Sequence, residues 1–169
     1  MKLLNRNTPI IMNAIAFAKV EYEKNDPLHR WSHIENVMKR ASEIVEKITI
    51  PVDLELLKLA IIFHDIDYNS EKDFEESYKK HPDNSVKIAE KFLHDHNYPQ
   101  ERIEKVKEIM LDHSTPHRKI RGEAKSIEGN IIYDADKSIG IDWSNPELYN
   151  KYFSQLYLDE TKEMVKATK

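Results

Sequence analysis

Trp31-Ser-His-Ile-Glu-Asn-Val-Met-Lys-Arg-Ala-Ser-Glu-Ile-Val-Glu-Lys-Ile48 is the stretch that decides the fold class. Its apolar residues Ile34, Val37, Met38, Ala41, Ile44, Val45 and Ile48 recur at i, i+3, i+4 and i+7, the repeat that lines one face of an α-helix. The same rhythm extends on both sides. The apolar run from Ile10 to Tyr22 makes an N-terminal helix. A further helix starts after Pro51, with Asp53 near its cap, and runs through Leu54, Leu57 and Ile61 to His64. Another begins after His81-Pro82 and carries Val86, Ile88, Ala89, Phe92 and Leu93. The next begins near Pro99 and carries Ile103, Val106, Met110 and His113. Ile127, Ile131, Ile132 and Ile139 define another. The last starts at Asn145-Pro146-Glu147, where Asn suits the cap and Pro the first turn, and carries Leu148, Tyr152, Leu156 and Met164. No strand alternation, repeat or Gly/Ser linker interrupts them. The expectation is an all-α bundle of six to seven helices forming one domain over residues 1–169, with a motif-bearing core at 27–140 and a C-terminal helix at 145–165.

Composition narrows the functions. The chain has 169 residues, enough for one domain with a real core, and 40% of them are hydrophobic. Only 3 Gly occur, and Gly122, Gly129 and Gly140 form no cluster, which excludes a P-loop or a dinucleotide fingerprint. There is no Cys, so disulfides, thiolate metal sites and thiol nucleophiles are excluded. The net charge of -4 argues against a stable nucleic-acid complex. No signal-peptide core or membrane-length apolar run is present, and a cytoplasmic protein is expected by default. The connection from Asp65 to His81 is long and charged, and reads equally as a binding loop or a short solvated helix.

The informative residues are polar ones in apolar places. His33 lies one turn before Val37, His64 three residues after Ile61, and His113 three after Met110. His81 is expected just before its helix, because Pro82 follows it. Asp65 adjoins His64. Asp134 lies three after Ile131, and Asp136 four after Ile132; helical phase does not choose between them. One such His is ordinarily a core residue satisfied by a carbonyl. Burying an unpartnered polar group costs roughly 2–7 kcal/mol, and an isolated charge far more. Five inward stations on five segments are most simply satisfied by a shared metal ion, since His nitrogens and carboxylate oxygens are ligands of Mn, Fe, Zn or Mg. His29, His94, His96 and His117 read as surface residues. The aromatics Trp143, Tyr149 and Tyr152 suit a core, a pocket or a dimer patch, and both monomer and homodimer are compatible with the chain.

These residues resemble the signature of the HD superfamily of metal-dependent phosphohydrolases. The adjacent pair is His64-Asp65 in Ala60-Ile-Ile-Phe-His-Asp-Ile-Asp-Tyr68, the upstream His is His33, and the downstream Asp lies in Tyr133-Asp-Ala-Asp-Lys-Ser138. The family places that Asp after Ala, which selects Asp136 and leaves Asp134 in reserve. The tail from Ile139 to Glu160 is similar to a subgroup of bacterial HD proteins. His81 and His113 resemble the extra ligands of two-metal members, or in single-metal members the residues that meet substrate phosphate. The Gly-Tyr-Pro signature of the HD-GYP type is absent.

The resemblance implies one or two divalent ions (Mn, Fe, Mg, Zn or Co). The first would be held by His33, His64, Asp65 and Asp136; the second by Asp65, His81 and His113. It implies hydrolysis of a phosphate ester or anhydride in a small phosphorylated metabolite such as a nucleotide. Asp65 and Asp67 are the catalytic candidates, with a helix-end cap as the plainer reading of Asp67. Lys137 and Arg118 are the substrate-binding candidates; Lys137 could equally pair with a neighbouring carboxylate, and Arg118 could sit in a solvated loop. The same ligands also occur in HD-fold di-iron oxygenases. A non-catalytic nucleotide-binding module and a plain helical bundle are the further alternatives.

Overall fold

The computed structural model describes residues 2–68 and 74–168, and among these the regular structure is entirely helical. The helices are α1 (Pro9–Tyr22), α2 (Trp31–Val45), α3 (Leu54–Phe63), α4 (Phe74–Asp95), α5 (Gln100–Asp112), α6 (Thr115–Arg121), α7 (Ile127–Ser138), α8 (Pro146–Tyr152) and α9 (Asp159–Lys166), with short 3-10 turns at Pro27–His29 and Phe153–Gln155. The all-α class is as expected.

α3 is the central helix. Every residue from Leu56 to Phe63 is buried, and it packs against α1, α2, α4, α5 and α7. A helix apolar on all sides belongs in a core. Its single cation, Lys58, is only 4% exposed and is kept by donating to the Leu4 carbonyl (2.8 Å) and to Asn7 Oδ1 (3.1 Å). The expected cap at Asp53 is present: its carboxylate accepts from the Leu56 amide at 3.1 Å, and Arg102 grips both oxygens at 3.0 and 3.1 Å. That ion pair ties α5 to the start of α3. α7 packs against α2, α3 and α5, so the ligand-bearing segments share one buried centre.

Three expectations are corrected. His81 lies inside α4, which begins at Phe74 and runs through Pro82. Proline removes one backbone donor and usually kinks a helix, but α4 packs along α5, and that tertiary contact outweighs the local preference. Of the charged connection between Asp65 and His81, Glu75 and Glu76 are on α4 and exposed, while Glu71, Lys72 and Asp73 lie outside the described residues. The C-terminal helix expected at 145–165 is two helices, α8 and α9. The chain between them is extended at Leu156, and the amides of Tyr157 and Leu158 donate to the Asp134 carboxylate at 2.9 and 2.8 Å instead of continuing a helix. A short helix that periodicity did not register, α6, also stands between α5 and α7. Trp143, Leu156 and Val165 form a small second core against which Tyr149 and Tyr152 pack.

Candidate metal centre

Each ligand-type side chain is delivered by a different part of the bundle. His33 is the third residue of α2. His64 is the C-cap of α3 and Asp65 begins the turn that follows. His81 is in α4, His113 caps α5, and Asp136 is near the end of α7. Their atoms converge in two groups that could each hold a metal ion: His33, His64, Asp65 and Asp136, and Asp65, His81 and His113.

Asp65 belongs to both groups, with one oxygen turned toward each. Its Oδ2 lies 3.3 Å from His33 Nε2 and 3.4 Å from His64 Nε2. Its Oδ1 lies 3.2 Å from His81 Nε2 and 3.3 Å from His113 Nε2. Asp136 Oδ1 closes the first group at 3.2 Å from His33 Nε2 and 3.8 Å from His64 Nε2.

The imidazoles are oriented by the helix ends. His64 Nδ1 donates to the Ile61 carbonyl at 2.8 Å, His81 Nδ1 to the Ser77 carbonyl at 3.0 Å, and His113 Nδ1 to the Met110 carbonyl. A carbonyl can only accept, so each proton sits on Nδ1 and each Nε2 presents a lone pair inward, the arrangement outer partners impose on metal-binding His. His81 Nε2 and His113 Nε2 then face each other at 3.3 Å, lone pair to lone pair. His64 Nε2 is buried without a hydrogen-bond partner, whereas His33 Nε2 lies between the Asp65 and Asp136 carboxylates. Lone pairs and carboxylate oxygens pointed at one another in a buried site repel, and a cation removes the conflict. The donor set therefore fits a divalent metal.

Electrostatics agree. Burial would raise the Asp65 carboxyl, but the surrounding imidazoles, His64 foremost, hold it well below the ordinary carboxylate range. Burial works the same way on Asp136, and Lys137 with His33 outweighs it in the same downward direction. Burial depresses His113 to about 4 and keeps it neutral. His33 is the exception: despite burial, hydrogen bonds to Asp136 and Asp65 raise it to about 10. In the metal-free protein its proton would occupy the place of a cation between the two carboxylates.

The remaining candidates separate. Asp134 is fully buried and accepts the two amides of the C-terminal segment, so it serves the fold. Lys137 lines the site, with Nζ 2.7 Å from Asp136 Oδ2. Burial would lower its pKa, but the Asp136 carboxylate raises it. Arg118 lies in α6 and not in a solvated loop. It is 5% exposed, and its guanidinium is already engaged by the Asp112 carbonyl (2.7 Å), Asn130 Oδ1 (2.9 Å) and the Gly129 carbonyl (2.7 Å). Asp67 lies in the turn that follows α3. It is not part of the lining of the central cavity, and its backbone N–H donates to Ser85 Oγ at 3.2 Å.

Sequence reasoning missed several contributors. Asn25 Nδ2 donates to the Asp65 carbonyl at 3.0 Å, and the Asp65 amide donates to Tyr22 Oη at 3.3 Å, so α1 and the turn after it hold the bridging residue's backbone. His29, read as a surface residue, stacks on Tyr68 with ring centroids 3.7 Å apart and is pinned by Asp26 at 2.9 Å. Both rings line a cavity of about 110 Å³ beside the ligands, with Tyr78, Ser114, Thr115 and Lys137. No helical periodicity marks a residue in a 3-10 turn, and none was available for His29.

The chain is similar in structure to a predicted HD superfamily hydrolase from an uncultured Thermotogales bacterium. The TM-score is 0.62 at 22% sequence identity, covering 94% of this chain and 82% of that one. No curated protein matches at a significant level. Residues 30–139 match the HD domain family, and that span runs from the helix carrying His33 to just past Asp136. The chain belongs to the HD domain family.

Proposed function

We propose that this protein is a metal-dependent phosphohydrolase acting on a small phosphorylated metabolite, with His33, His64, Asp65 and Asp136 holding one divalent ion and Asp65, His81 and His113 a second. The observation that carries the reading is Asp65, whose two oxygens face two separate ligand groups. Bound there, divalent ions lower the pKa of water and neutralise charge on phosphoryl oxygens.

The chain's own residues supply position and charge, which is most of what phosphoryl transfer needs. The 110 Å³ cavity has room for a phosphoryl group. Lys137 stands at its edge as a fixed cation, held by Asp136 on one oxygen. Thr115 and Ser114 add hydroxyls to the lining, with Thr115 Oγ1 held 3.2 Å from Tyr133 Oη. Tyr68, buried and raised to about 12 by burial and by the Asp65 charge, stays protonated and can donate. Asn25 and Tyr22 hold the backbone of Asp65, and so the point from which its carboxylate reaches both groups.

The test is metal content and phosphate release. Protein loaded anaerobically with Mn or Mg should release phosphate from a nucleotide or an aryl phosphate, and Asp65→Ala should lose both metal and turnover. Full activity in that variant would sink the proposal. Turnover that requires iron and oxygen would move the assignment to an oxygenase on the same ligands.

A further inference from the structure

A groove of about 680 Å³ begins at His33 and Asp136 and runs along the exposed side of α2. Its floor is the α2 stripe Ser32, Asn36, Lys39, Arg40 and Glu43; its walls are Pro27 and Leu28 on one side, and Ile139 and Gly140 on the other. Both sides are anchored to the metal centre. The floor starts at one ligand, and the second wall begins three residues after another. We propose that this groove holds the leaving-group portion of the substrate, and that this portion carries a second anionic group. The proposal rests on the phosphohydrolase reading and adds the substrate class.

Three observations lead to it. The cavity over the ligands, about 110 Å³, is far smaller than the groove, so the bulk of a larger substrate is better accommodated outside it. His33 and Asp136 line both spaces, so the groove adjoins the ligands themselves. A second groove of about 560 Å³, lined by Arg118, Lys119, Tyr133 and Tyr157, is a weaker candidate. Thr115 lines it as well as the cavity, but none of the ligands does, and its arginine is already satisfied by the fold.

The lining then selects the chemistry. Among the described residues no Phe, Tyr or Trp lines the α2 groove, so it lacks the large rings on which a nucleobase stacks. It offers instead the hydroxyl of Ser32, the amide of Asn36 and two cations. Lys39 is exposed, and Arg40 uses Nη1 on Glu43 at 3.2 Å while its other donors remain for a ligand. From His33 to Lys39 the helix rises about 9 Å at 1.5 Å per residue. A second phosphate or carboxylate about that far from the scissile phosphate would meet Lys39 and Arg40.

Equilibrium binding tests this without turnover. The probes are hexane-1,6-diphosphonate and hexylphosphonate, whose phosphorus–carbon bonds resist hydrolysis, titrated anaerobically into the Mn-loaded protein. The diphosphonate should bind about tenfold more tightly, a factor within reach of one added charge pair at a partly solvated site. Lys39→Glu should abolish that preference, and Lys91→Glu, on exposed α4, should keep it. Equal affinity for the two probes, no binding of either, or the same loss in both variants would overturn the proposal. The two readings fail separately. A protein that keeps the diphosphonate preference but releases phosphate from no ester loses the hydrolase reading alone; one that hydrolyses esters but shows no preference loses the groove alone.

Discussion

Asp134 and Asp136 lie two residues apart on α7, and replacing each by Ala should separate fold from metal binding. Asp134 accepts the Tyr157 and Leu158 amides at 2.9 and 2.8 Å. A hydrogen bond to a charged group contributes roughly 1.5–3 kcal/mol. The pair is discounted on two counts. Tyr157 is 43% exposed, so water can recover its amide, and burial raises the Asp134 carboxyl, which offsets part of the gain. Asp134→Ala should therefore cost about 2–4 kcal/mol, or roughly 5–15 °C in Tm for a chain of this length. Its metal content should follow the folded fraction. Asp136→Ala should behave in the opposite way. In chelator-treated protein it should lose less stability than Asp134→Ala, because Asp65 remains 3.3 Å from His33 and Lys137, about a third exposed, can reach water. Metal content should collapse, and with it the extra stability that a ligand bound only to the folded state confers. The assays are urea denaturation with and without chelator, and elemental analysis of each variant. Loss of metal with unchanged stability in Asp134→Ala would refute the division of roles. So would a larger loss of metal-free stability in Asp136→Ala than in Asp134→Ala.

Two further outcomes follow from particular contacts. A Cβ at Gly129 would lie 2.2 Å from Asp112 Oδ2 and 2.9 Å from the Ala124 Cβ, so Gly129→Ala should destabilise by about 1–2 kcal/mol in chemical denaturation, the overpacking cost exceeding alanine's better helix propensity; a more stable variant would show that Asp112 swings away freely. In the metal-free protein His33 is raised from 6.5 to about 10, so its contribution to stability is fully present below pH 6.5 and is lost as pH rises through about 10. His113, lowered to about 4, works at the other end, with a contribution present above pH 6.5 and lost as pH falls through about 4. Between pH 7 and 9 metal binding should displace about one proton, from His33, measurable by calorimetry in buffers of different ionisation enthalpy; uptake of a proton, or none exchanged, would contradict the assignment.

Much of the fold was legible because helical periodicity is a local signal. The stripe from Ile34 to Val45 and the caps at Asp53 and Asn145 need no distant partner to be recognised. Burial cost pointed to a shared cation at His33, His64, Asp65, His81 and His113, because a polar residue on an apolar stripe needs a reason wherever the stripe ends up. Residues whose neighbours are distant in sequence were not legible. Helical phase left Asp134 and Asp136 equal. Only the return of the chain at Tyr157 and Leu158 commits Asp134 to the fold, and the same contact breaks the expected C-terminal helix in two. Pro82 spoke locally against a helix at His81, and packing on α5 overrode it. Arg118 and His29 exchanged places for the same reason: the arginine is consumed by carbonyls of other segments, while the histidine is carried by a short turn onto Tyr68 at the mouth of the site. Residue types and spacing thus determined which groups must be satisfied. Only the tertiary structure decided which group satisfies which, because hydrogen-bond and ligand geometry depends on ångström distances between segments that spacing along a chain does not contain.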